Sequence, residues 1–148
     1  MYRISNNTLV ILPYYDLTYQ SKVIEKDKKV FITEAPLRVI RENCLHYGSS
    51  YEGRKQSVTY HLGYTQKLPI PIHPATLIYA FPTQSPVSYD CIWLFYQGIR
   101  GIRPLETNSK TAIQFINGTE FILAQSYHTI HTQFERTGMC KVIFDQLK

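Results

Sequence analysis

Residues 111–126 read Thr111-Ala112-Ile113-Gln114-Phe115-Ile116-Asn117-Gly118-Thr119-Glu120-Phe121-Ile122-Leu123-Ala124-Gln125-Ser126. Two short runs rich in β-branched and aromatic residues flank an Asn-Gly pair. That pattern predicts a β-hairpin over 111–123 on a type I′ turn, because Asn and Gly tolerate the two positive φ angles the turn requires. Ser126 then suits the N-cap of a helix, since its hydroxyl accepts an unpaired N–H of the first turn. The helix is expected from Tyr127 to about Leu147, with Ile130, Phe134, Met139, Val142 and Leu147 as its apolar contacts. Gly138 is expected to weaken or bend it. A strand–turn–strand–helix close marks the α+β class.

Outward from that stretch, Thr8-Leu9-Val10-Ile11-Leu12 and Ser21-Lys22-Val23-Ile24-Glu25 read as strands, and Val30-Phe31-Ile32-Thr33 as a third behind a charged tip at Asp27-Lys28-Lys29. A charged tip of this kind reads as a solvated turn. Pro36 opens a short helix over 36–46, its apolar face formed by Leu37, Val39, Ile40 and Cys44. Residues 48–55 hold Gly48 and Gly53 and read as a loop with two hinges. Pro69, Pro71, Pro74, Pro82 and Pro86 crowd the next segment, five of the eight prolines, and forbid a central strand or helix between 67 and 76. Leu77-Ile78-Tyr79-Ala80-Phe81 and Cys91-Ile92-Trp93-Leu94-Phe95-Tyr96 read as buried strands. The expected architecture is mainly antiparallel sheet with helices near 36–46 and 127–147, in one domain spanning 1–148.

The 148 residues are 44% hydrophobic and 18% charged, which excludes a disordered, collagenous or coiled-coil chain. No apolar run approaches the roughly 18 residues of a membrane-spanning helix, and the start lacks the apolar core of a secretory signal. A soluble, cytoplasmic domain is expected, with no membrane partner. The three cysteines, Cys44, Cys91 and Cys140, form no CxxC pair and are expected as buried free thiols. Asn6-Asn7-Thr8 and Asn117-Gly118-Thr119 match the glycosylation sequon, a match without content in an unsecreted chain.

The net charge of +5 favours an anionic partner, and its distribution says where. Residues 36–67 carry five basic side chains against two acidic ones, the densest positive excess in the chain. From Pro36 to Lys55 a basic helix face (Arg38, Arg41) leads into small polar residues (Ser49, Ser50) and then Arg54-Lys55. Lysine and arginine neutralise phosphates, hydroxyls and loop N–H groups fix register, and an arginine on a thin loop enters an A·T-rich minor groove. Two readings stay open for this stretch on composition: a polyanion-binding surface, or an ordinary exposed basic loop. Lys67, Arg100 and Arg103 are second-rank phosphate partners. Gly98-Ile99-Arg100-Gly101-Ile102-Arg103 is not a dinucleotide fingerprint, and its arginines fit equally the wet face of a strand.

Catalytic chemistry finds no signature. Ser49 or Ser50 with one of the five histidines is the barest requirement for a hydrolase, yet neither GxSxG nor HExxH occurs. His128 and His131 stand three apart with no third ligand, so surface or structural roles are expected. The reading is of a non-enzyme with no catalytic residue, no metal and no cofactor.

Ser21-Lys22-Val23-Ile24-Glu25-Lys26-Asp27 and the block 43–55, with its Tyr47-Gly48-Ser49-Ser50-Tyr51-Glu52-Gly53-Arg54 core, closely resemble the competence transcription factor family, ComK. So do the spacings to Lys67-Leu68-Pro69-Ile70-Pro71-Ile72 and to Ile78-Tyr79-Ala80-Phe81-Pro82-Thr83. The similarity extends through Cys91-Ile92-Trp93 to the closing strand–turn–strand–helix. The resemblance implies a cofactor-free regulator of DNA-uptake genes. It would bind double-stranded DNA at A·T-rich boxes through the minor groove, as a dimer or tetramer, and contact RNA polymerase. It also implies a departure: longer members continue beyond the position of Lys148 with a basic, helix-forming tail linked to activation and turnover. A short member is expected to keep DNA binding, to activate poorly or by another contact, and to escape the family's usual turnover. The alternative is a truncated paralogue that acts by protein association and titrates a full-length family member.

Overall fold

The computed structural model describes residues 1–147. Strands β1 (Thr8–Pro13), β2 (Ser21–Glu25) and β3 (Lys29–Ile32) open the chain, followed by helices α1 (Pro36–His46) and α2 (Tyr51–Leu62). Strands β4 (Ile70–His73), β5 (Ile78–Pro82) and β6 (Trp93–Phe95) come next, then β7 (Ile99–Leu105), β8 (Lys110–Phe115), β9 (Glu120–Leu123) and the closing helix α3 (Tyr127–Gln146). A six-stranded sheet has the order β3-β2-β1-β6-β5-β4, and β7-β8-β9 form a second sheet. Every pairing is antiparallel, as in the α+β class expected from the sequence.

Successive side chains of a strand point to opposite faces, and here both faces of the large sheet are covered. Ile11, Val23, Trp93 and Phe95 pack with Val39 and Ile40 of α1 and Val58 of α2. Their neighbours Val10, Ile24 and Leu94 pack on the opposite face with Ile113 and Phe115 of β8 and Leu123 of β9. The order of layers is therefore helix, large sheet, small sheet. Helix α3 crosses the β5–β4 end of the stack: Ile130 near its start belongs to the small-sheet core, and Cys140 near its end to the helical one.

Four expectations are corrected. The stretch read as a hinged loop over 48–55 belongs in large part to α2, which starts at Tyr51. Ser50 caps it, its hydroxyl accepting from Gly53 N at 3.0 Å, and Gly63 closes it at φ +76°. Gly53 is tolerated because it sits in the first turn, where helical hydrogen bonding is incomplete. The 115–119 turn is not type I′. Gly118 alone is positive (φ +88°), Gly118 N donates to Phe115 O and Phe115 N to Thr119 O. This is a three-residue loop closed by a left-handed glycine.

On α3, Met139, Val142 and Leu147 are exposed, and the buried face is Ile130, Gln133, Thr137 and Cys140. Two polar residues hold core positions there: Gln133 Nε2 donates to Lys67 O and Pro82 O, and Thr137 Oγ1 donates to Gln133 O. Gly138 leaves the helix unbroken; a Cβ there would stand 2.8 Å from the Tyr96 hydroxyl, so its role is close approach rather than bending.

The proline-rich segment behaves as its chemistry requires. Pro71 lies in β4 at the margin of the sheet, where a missing N–H breaks no ladder bond. Ser126 caps α3 as expected, accepting from Thr129 N at 3.2 Å. Cys44, Cys91 and Cys140 are buried free thiols. Among the described residues, no helix is long and apolar enough to cross a membrane.

Candidate nucleic-acid interface

The α1–α2 junction is built on buried polar bonding. Asn43 Nδ2 donates to Tyr2 O and Val39 O, and its Oδ1 accepts from Ile4 N, fixing the N-terminal segment to α1. Arg54, one of the cations expected at DNA, lies inside this junction at 7% exposure. Its guanidinium donates to Pro71 O at 2.6 Å, Cys44 O at 2.8 Å and Ser49 O at 3.3 Å. Desolvation holds its pKa below the ordinary value for arginine. This arginine is a strut between α1, α2 and β4, and not a surface cation. Burial lifts the adjacent Cys44 thiol to about 11 against the opposing pull of the Arg54 charge, so the sulfur stays protonated.

Outside the junction, three of the predicted cations meet. Arg41 of α1, Lys55 of α2 and Lys67 of the following loop line one groove of about 930 Å³, together with Tyr51, Glu52 and Tyr60. The Arg41 and Lys55 charges lie over the Tyr51 ring, 5.3 and 5.0 Å from its centroid, within cation–π range. Both also reach Glu52, at 3.3 and 3.1 Å. Lys67 has φ +48° and makes no ion pair among the described residues. Its backbone is held from below by the Gln133 amide. Three cations against one carboxylate leave the groove positive.

The remaining candidates lie elsewhere. Arg38 is exposed and pairs with Glu42 at 2.9 Å. Ser50 spends its hydroxyl on the helix cap, while Ser49 is exposed and offers its carbonyl to Arg54. Arg103 is exposed on β7 and makes a two-pronged bond to Glu120 across the small sheet, at 2.9 and 2.8 Å. Arg100 is exposed on the same strand. Both belong to the layer opposite the helices, so the fold does not bring them to the groove of Arg41, Lys55 and Lys67. Of the histidines singled out in the sequence, His131 Nδ1 lies 3.2 Å from Glu135 of its own helix.

Sequence reasoning passed over two features. Tyr51 and Glu52 organise the groove cations, and the only hint of it was their position between Arg41 and Lys55 in a charged block. Lys28 and Lys29, read as a solvated tip, are exposed and form no ion pair among the described residues. The Asn117 amide donates to Lys26 O at 3.0 Å and ties the β8–β9 turn to that tip.

Comparison with known proteins adds relatives. The profile of the family described as ComK protein matches residues 1–148. The chain is similar to the competence transcription factor of Bacillus subtilis (strain 168), 31% identical over 144 residues, covering 97% of this chain and 74% of that protein. No solved structure matches.

Proposed function

The chain belongs to the ComK family, and from that premise we propose that it is a DNA-binding transcriptional regulator of competence genes. It recognises A·T-rich boxes in double-stranded DNA through phosphate contacts and insertion into the minor groove. It acts as a dimer or tetramer beside RNA polymerase, as a single DNA-binding domain in the cytoplasm, associated with the nucleoid. No catalytic step or cofactor enters this reading.

The observation that supports it best is the convergence of Arg41, Lys55 and Lys67 on one groove, from two helices and a loop. Cations converging on a concave face attract a polyanion more strongly than the same charges scattered. Tyr51 keeps two of them extended over its ring. Ser49, exposed in the turn between α1 and α2, supplies a hydroxyl for a phosphate oxygen. Arg38, on the same helix as Arg41, serves as a weaker contact, because Glu42 already holds it.

The test is a binding titration on an A·T-box duplex and a G·C-rich control across a range of salt. A sequence-reading regulator prefers the A·T duplex and is displaced by a minor-groove drug. Three phosphate contacts give log Kd a slope of about 2.7 against log salt, on the usual ~0.9 per contact. Weak and equal binding to both duplexes would refute the reading and favour association with another protein instead.

A further inference from the structure

A second groove, of about 1000 Å³, shares Leu37, Pro86 and Val87 with the cationic one but has the opposite chemistry. Tyr14, Tyr15 and Tyr89 form its walls with Pro36 and Pro86, and Trp93 lies at its floor. No lysine, arginine or histidine lines it, on a chain of net charge +5. Its charged groups are carboxylates: Asp16 in the lining, and Asp90, which accepts the Tyr15 hydroxyl at 2.5 Å. Asp16 is fixed by the Thr18 and Tyr19 backbone N–H groups, which also hold its carboxyl below the ordinary carboxylate range.

The surface around it is unusually apolar. Leu17 is fully exposed, and Val87 and Tyr89 are more than 80% exposed. Tyr15 and Tyr89 stack at 6.1 Å, tying the loop after β1 to the loop before β6. Contiguous exposed apolar side chains rimmed by polar ones mark an interaction site. Trp93 also carries the single buried side-chain donor of this lining without a hydrogen-bond partner among the described residues. A buried unpaired donor in a folded protein calls for an explanation.

We propose that this groove binds an extended, proline-rich peptide segment carrying at least one arginine or lysine. Polyproline-type segments dock in grooves lined by aromatic rings, because the conformation is preformed and little ordering entropy is lost. Such a segment has no internal hydrogen bonds, so its carbonyls are free to accept from donors on the groove walls such as the Tyr14 and Tyr89 hydroxyls, both on exposed side chains. The carboxylates at the rim select the basic side chain, and the same carboxylates disfavour a phosphate backbone. The groove is thus a protein-docking site beside the cationic groove, and its partner is not nucleic acid.

Trp93, the one tryptophan of the chain, provides the readout. The probe is the synthetic peptide acetyl-RPLPPRPLPP-amide, titrated into the full chain up to about 1 mM while Trp93 emission is followed. The expected result is a saturable spectral shift that weakens as salt rises. Tyr89→Ala and Val87→Asp, both at exposed positions, weaken binding at least about fivefold, and Asp16→Asn weakens it less. Lys55→Ala leaves the peptide titration unchanged. Absence of a saturable shift would overturn the proposal, as would equal binding of a control with glutamate for arginine. Tighter binding of a helical peptide with the same two arginines would also overturn it. A concentration-dependent dimer abolished by Tyr89→Ala would reassign the face to a second copy of this chain, and displacement of the peptide by a short duplex would reassign it to DNA.

Discussion

Arg54 Nη1 and the carbonyl oxygen of Pro71 are 2.6 Å apart, and that bond ties α2 to the marginal strand of the large sheet. Together with the bonds to Cys44 O and Ser49 O it makes a surface-looking arginine part of the interior. Arg54→Ala removes the guanidinium from three carbonyls, of which Cys44 O keeps the Ser49 N–H at 3.3 Å, and buried bonds to a charged group are worth about 1.5–3 kcal/mol each before relaxation. A net loss of about 3 kcal/mol is expected, seen as a lower urea midpoint at constant slope. At a temperature where the variant stays folded, its affinity for duplex DNA stays within about twofold of the parent, whereas a groove-reading role would cost 1–3 kcal/mol.

Glu52 bridges Arg41 and Lys55 and therefore competes with phosphate for both. Glu52→Gln keeps the shape and removes the charge, so both cations become available to DNA. Binding at about 0.1 M salt is expected to tighten roughly threefold to tenfold, since exposed charges a few ångströms apart still interact at that screening. The salt slope steepens in parallel. Unchanged or weaker binding in a filter or anisotropy titration would count against this role for the groove.

Alanine at Arg41, Lys55 or Lys67 is expected to flatten the salt slope by about one each and to weaken all sequences alike. Arg103, whose Nη2 already donates to both carboxylate oxygens of Glu120, provides the contrast. Arg103→Ala changes the slope by much less than one, and its main effect is a loss of cross-strand pairing of about 0.2–1 kcal/mol. Equal slopes for all four variants would refute the division between the two layers.

Cys44 and Cys140 are lifted by burial to about 11 and about 12, and burial likewise raises Tyr51 to about 12. Each group is neutral when protonated and keeps its proton longer folded than unfolded. Below the ordinary thiol range both states are protonated and stability is independent of these groups. Above about pH 9 the unfolded chain releases protons that the folded chain retains, and stability falls with each further unit. Denaturation midpoints measured from about pH 7 to 10.5 should be flat and then decline. The same burial makes the native thiols slow to react with a thiol reagent near pH 8, with all three titrating after denaturation.

The legibility of this fold in its sequence followed how locally each element is specified. Pro36, Ser126 and the Asn117-Gly118 pair are signals that act within a few residues, and α1, α3 and the β8–β9 hairpin stand where they were read. Helix α2 was missed because its buried positions are Tyr51, Arg54 and Val58, so that a charged residue occupies the middle of what should be an apolar stripe. The inner face of α3 was misassigned for the same reason, with Gln133 and Thr137 in core positions. Thr137 is satisfied by Gln133 O one turn back, but Gln133 itself needs the carbonyls of Lys67 and Pro82 from distant segments, a circumstance that no window of sequence contains. The candidate site shows the same limit. The residue types for phosphate contact were evident, but only the tertiary arrangement separates the groove cations from buried Arg54 and from Arg100 and Arg103 on the far layer.

The order helix, large sheet, small sheet has a geometric consequence for any duplex this chain holds. Stacked sheets lie about 10 Å apart and a helical layer adds about 10 Å more, so the exposed Arg41 of α1 and the exposed Arg100 of β7 belong to opposite outer layers of a stack roughly 30 Å deep once side chains are counted. A straight rod of DNA laid against one side leaves the other side's cations facing solvent. To neutralise both, the duplex must curve around the slab, or a second double helix must approach from behind. A single chain engaged on both sides would therefore be recognised by an altered DNA contour, visible as anomalous gel mobility that depends on where the site lies in the fragment, or by its ability to hold two separate duplexes together.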